Sequence, residues 1–155
     1  MQISDAAREI LLRRWPVARL ATLAHGAPRL VPIVFAWHAD RIWSPIDAKP
    51  KRTDDPRSLA RVEDVRRDPR VCVLLDHYDA DWSRLWWLRL DGEAEVVTAE
   101  TAESDPRLAG AAAALRAKYP QYAEVPVFLG LPTALAVRVV DARSWCASED
   151  ALPRE

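Results

Sequence analysis

Leu85-Trp86-Trp87-Leu88-Arg89-Leu90-Asp91-Gly92-Glu93-Ala94-Glu95-Val96-Val97 alternates with a period of two. Trp86, Leu88, Leu90, Gly92, Ala94 and Val96 fall on one side, and Trp87, Arg89, Asp91, Glu93 and Glu95 on the other. Successive side chains of a strand point to opposite faces, so the stretch predicts one long strand over 85–97 with an apolar inner face and a charged outer one. Trp86 and Trp87 cannot then share a core. Trp87, on the polar face, is the candidate for contact with a partner or ligand.

Working outward, 17–23, 30–37, 42–46 and 71–78 read as further strands, with turns at His25-Gly26-Ala27-Pro28 and Asp40-Arg41, and 134–140 reads as the last. Pro45 marks an edge or a bulge, because proline cannot donate to a ladder. Ser4 caps a helix over 5–14 that ends before Pro16, with Ile3, Ala7, Ile10 and Leu11 as its stripe. Asp55-Pro56 opens a second helix, with Leu59, Val62 and Val65 apolar, up to Asp68-Pro69. Ser104-Asp105-Pro106 opens a third, with Leu108, Ala111, Ala112 and Leu115 buried, before Pro120. Six antiparallel strands in meander order, with short helices after the third and fifth, predict a mainly β protein built as a small barrel.

At 155 residues the chain fits one domain, 1–155, able to bury a core without metal or disulfide staples. No apolar run approaches the ~20 residues of a membrane helix, and Met1-Gln2-Ile3-Ser4-Asp5 does not read as a signal peptide, so a cytoplasmic location without membrane contact is expected. Cys72 and Cys146 have no ligand-like spacing, and Cys72 reads as a small buried apolar residue. His25, His38 and His77 show no HxxxH or HxH pattern, so no metal is expected. A formal net charge of −1 argues against nucleic-acid binding. With four glycines and no Gly-rich strand-turn-helix, any phosphate must be held by side chains.

The cations for that task are concentrated. Between Lys49 and Arg70 eight basic residues meet five acids, at the place where the strand ending Ser44-Pro45-Ile46 runs into Asp47-Ala48-Lys49-Pro50-Lys51-Arg52. A local excess at a strand exit suggests an anion site. Lysines in loops are usually just solvated, but two flanking a proline at this exit favour phosphate. Arg61 could equally pair with Asp64 or Glu63 on its own helix, a contact worth only ~0.2–0.5 kcal/mol. Trp82, in the acidic loop after 71–78, is hard to justify as an exposed indole unless a ring or a partner covers it.

The order of these elements, from Gly26-x-Pro28 through Lys49-Pro50-Lys51, Arg66-Arg67-Asp68-Pro69-Arg70 and Trp82 to the Gly92 strand, resembles the pyridoxamine 5'-phosphate oxidase-like split barrel. Within it, Asp76-His77-Tyr78-Asp79-Ala80-Asp81-Trp82-Ser83-Arg84-Leu85-Trp86-Trp87 is similar to a branch of probable coenzyme F420-dependent enzymes. The resemblance implies a six-stranded antiparallel split β-barrel acting as a homodimer, with a cofactor groove between subunits. It implies coenzyme F420, with FMN as the alternative, and hydride transfer between the reduced cofactor and an unsaturated small molecule. A non-catalytic carrier of the cofactor is the rival reading. Carried over, the backbone of Ser44, Pro45, Ile46 and Asp47 lies along the ring, Lys49, Lys51, Arg61 and, less strongly, Arg52 hold the phosphate, and Trp82 walls the site across the dimer. No side chain is singled out as the catalytic acid or base.

Overall fold

The computed structural model describes residues 1–47 and 59–153. Three helices, α1 (Asp5–Arg14), α2 (Ala60–Arg67) and α3 (Pro106–Lys118), accompany seven strands: β1 (Ala18–Ala24), β2 (Ala27–Ile33), β3 (Ala36–His38), β4 (Arg41–Pro45), β5 (Arg70–His77), β6 (Trp86–Thr98) and β7 (Thr133–Cys146). All pairings are antiparallel, in the order β2-β1-β5-β6-β7-β4-β3. None of the helices in the described residues is long and apolar enough to cross a membrane.

The expected six strands are therefore seven, and the expected meander is broken. The segment 30–37 is two strands, since β2 ends at Ile33 and β3 begins at Ala36. These consecutive strands form opposite edges of the sheet. Three residue steps span at most ~11 Å, so the edges are forced together and the sheet curls into a barrel left unpaired at that seam. β4 then pairs with β7 rather than with β5. The last strand also outruns its expected end at 140, because a bulge opposite Asp91/Gly92 leaves Val140 out of register and lets the ladder continue to Trp86↔Cys146.

Local chemistry explains the turns and breaks. His25 and Gly26 (φ 53° and 85°) make the two-residue β1–β2 turn, and Ala39 and Asp40 (φ 49° and 54°) make the β3–β4 turn. Pro28 and Pro32 sit in β2, an edge strand where a missing donor costs nothing. Pro45 pairs with Ala134 on one side, and β3 has already stopped at Ala36↔Trp43 on the other. Gly92 is required, since a Cβ there would lie 2.4 Å from the Arg138 carbonyl oxygen.

Inside the barrel Leu20, Ile42, Val73, Leu75, Trp86, Leu88, Leu90 and Val137 pack with Leu11 and Leu12 of α1 and Val62 and Val65 of α2. On α1 it is Leu12, not the expected Ile10, that is buried beside Leu11. A second cluster packs Leu108, Ala111, Ala112 and Leu115 of α3 on Trp43, Ala134 and Ala136. The outward face of β1, β5, β6 and β7 stays partly exposed along the rows Arg19–Leu74–Arg89–Arg143 and Asp76–Trp87–Trp145. Cys72 belongs to this face. It is half-buried instead of a core residue, and burial together with Asp91 pushes its thiol up to about 11, whereas Cys146 is the buried cysteine.

Candidate functional site

β4 delivers Ser44, Pro45, Ile46 and Asp47 into the protein, all buried. The Ile46 N–H donates to the Thr133 carbonyl at 2.9 Å, and the Ile46 carbonyl accepts from Leu129 N–H at 2.8 Å. Ile46 thus spends its backbone within the chain. What this strand can offer a ring lies on its β3 side, beyond Trp43, where β3 pairing has ended.

Asp47 is 5% exposed, and its Oδ2 accepts from the Tyr122 hydroxyl at 3.2 Å. Burial and the carboxylate beside it push the Tyr122 pKa upward, so the phenol remains a donor. Tyr122 meets Tyr119 edge-on, with ring centroids 5.9 Å apart. The Tyr119 hydroxyl accepts from Phe35 N–H and has the carbonyls of Pro16 and Phe35, at 2.8 and 2.9 Å, as acceptors for its single proton. The segment after α3 is thereby fixed against β4, an arrangement that the sequence did not announce. Its signal was Tyr119-Pro-x-Tyr122, two aromatics with polar tips beside an apolar stripe.

Arg61 lies in the first turn of α2, within electrostatic reach of this carboxylate. Burial lowers its pKa, and Asp47 acts in the opposite sense. Among the described residues its Nε is buried without a hydrogen-bond acceptor. Asp64, with Glu63 the alternative partner for Arg61 on its own helix, is 2% exposed. It accepts from the Thr22 hydroxyl at 2.9 Å and lies 3.3 Å from Arg29 and 3.8 Å from Arg67. It ties α2 to the β1–β2 hairpin and so sets the position of Arg61. Lys49, Lys51 and Arg52 lie outside the described residues, as does the expected start of α2 at Asp55-Pro56.

Trp82 stands 78% exposed on a 3-10 turn, Trp82–Arg84, capped by the Asp81 carboxylate on Ser83 N–H at 3.0 Å. It precedes Trp86, at the opposite end of β6 from Asp47, because Pro45 pairs with Ala134 and Ala134 with Val97. About 35 Å of strand separates the two ends. One chain therefore does not bring Trp82 and Arg61 to a common ring. Near Trp82, His77 packs edge-on to Trp15 at 6.1 Å, and its Nε2 lies 3.5 Å from Asp79. Trp87 is half-buried on the outward face and Trp86 is in the core, as the alternation required.

The chemistry on offer is that of binding. A buried guanidinium with an unmet Nε fits an anionic oxygen such as a cofactor phosphate, and the side of β4 that β3 leaves unpaired beyond Trp43 fits the edge of a flat ring.

No curated protein matches the chain. Solved structures share its fold. A conserved hypothetical protein, Rv2991 from Mycobacterium tuberculosis, is 22% identical with a TM-score of 0.70 over 99% of this chain and 91% of its own. A protein described as FAD-binding from Mesorhizobium loti is 18% identical, TM-score 0.65, over 93% and 95%. An F420 reductase is 19% identical, TM-score 0.57, over 86% and 94%. The model of the pyridoxamine 5'-phosphate oxidase family matches residues 3–146. With every element from α1 to the end of β7 inside that match, the chain belongs to the pyridoxamine 5'-phosphate oxidase family.

Proposed function

We propose that this protein is a homodimeric oxidoreductase that holds coenzyme F420 and moves a hydride between it and an unsaturated small molecule. The observation that carries the reading is Arg61, a buried guanidinium with an unmet Nε beside the exit of β4. When bound, the cofactor supplies the hydride chemistry. The chain's own share is to hold the phosphate with Arg61 and with Lys49, Lys51 and Arg52, to seat the ring against Ser44–Asp47, and to exclude water.

The two-fold is supported by the outward face of the sheet. Leu30 is 63% and Trp145 39% exposed, Trp87 sits directly opposite Trp145, and among the described residues Arg89 Nε is buried there without an acceptor. A partner docked on this face can place its own Trp82 at the Asp47 end, which the length of β6 denies to a single chain.

Titration of the purified protein with F420 and with FMN, read by absorbance and affinity, tests the proposal. F420 should bind once per chain and more tightly than FMN, and Lys49→Ala/Lys51→Ala should weaken it while the melting temperature moves by no more than a few degrees. Preference for FMN would replace the cofactor. Absence of binding to either would remove the function.

A further inference from the structure

Among the described residues, Lys118 is a half-buried ammonium with no carboxylate partner. Its Nζ lies 3.5 Å from the centroid of the Phe35 ring and donates to the Leu12 carbonyl at 3.1 Å, one of the carbonyls that the end of α1 leaves unpaired. Burial alone lowers its pKa to about 7. An ammonium has three donors, and the described residues fill one. Buried charges are ordinarily paired, so this one lacks a counter-ion.

Against it opens a cavity of about 230 Å³ lined by Arg13, Ala36, Trp37, Ala114, Ala117 and Lys118. Ala114, Ala117 and Lys118 share one face of α3, and the two alanines leave a flat apolar floor. Trp37 forms the opposing wall. Arg13 lines the cavity together with Lys118 and is itself held by Glu9 at 2.7 Å. The surroundings are cationic at one end and apolar elsewhere.

We infer that this cavity binds a small organic carboxylate with a flat apolar body. The carboxylate supplies the missing counter-ion of Lys118, within reach of Arg13, and the body lies between Trp37 and the Ala114/Ala117 floor. A phosphate fits the cations but would press its remaining charged oxygens against indole and alanine, which desolvates them without recompense.

The test uses 2-naphthoate as probe on the full chain, with calorimetry and the Trp37 indole N–H resonance as readouts. Uncharged 2-naphthylmethanol and inorganic phosphate are the comparisons. The naphthoate should bind once per chain and shift Trp37, more tightly than either comparison, and Lys118→Met should weaken it about tenfold or more. Arg13→Gln, on a largely exposed side chain, should weaken it several-fold in a protein of unchanged melting temperature. Ala114→Leu should fill the floor and block the probe. Absence of naphthoate binding, equal binding to parent and both cation variants, or equal affinity for the alcohol or for phosphate would overturn the assignment.

Discussion

Asp64→Ala should loosen α2 from the barrel. The carboxylate is 2% exposed and accepts from the equally buried Thr22 hydroxyl at 2.9 Å. Truncation leaves that hydroxyl buried and unpaired, at about 1–3 kcal/mol, and forfeits a charged hydrogen bond. Arg29 and Arg67 are 40% and 47% exposed and can rehydrate, so their loss adds little. The expected destabilisation is about 2–4 kcal/mol in urea unfolding with unchanged slope, or a melting temperature lower by roughly 5–12 °C for a chain of this size. Thr22→Val should cost less alone, and the double variant should show coupling of about 0.5–3 kcal/mol. Asp64→Ala within about 0.5 kcal/mol of the parent would refute this account of how α2, and Arg61 with it, is positioned.

Gly110→Ala should destabilise α3 despite alanine's better helix propensity, since its Cβ would fall 2.2 Å from His38 Nε2, and adding His38→Ala should restore much of the loss in thermal unfolding. Lys118 has a folded pKa near 7, below its unfolded value, so the unfolded chain binds more protons between about pH 7 and pH 10. Its contribution to stability should therefore rise with pH across that window, and Lys118→Met should flatten the rise in pH-resolved unfolding.

Much of the fold was legible because it rests on local rules. The period-two run at 85–97, the Ser4 cap and the Asp105-Pro106 start are written in adjacent residues, and each element stands where they put it. Strand order was not legible, since it hangs on two residues, Val34 and Phe35, that no propensity marks as a break yet which carry the chain from one sheet edge to the other. At the site the cations were visible as a composition bias. The influence of Asp47 on Arg61, and the brace of Tyr119 and Tyr122 against Phe35 and Asp47, join segments distant in sequence, which periodicity does not record. The burial of Lys118 comes from Phe35 and α1, contacts that the pattern of α3 alone does not carry.

The central claim is that Arg61 of one chain and Trp82 of its partner serve one cofactor. Arg61→Ala and Trp82→Ala proteins, each weakened in F420 binding, should be unfolded together, refolded and titrated with F420. Random pairing should restore parental affinity in about a quarter of the sites, because each mixed dimer carries one site with both native residues. No restored high-affinity sites in a mixture shown to contain mixed dimers would contradict the shared site.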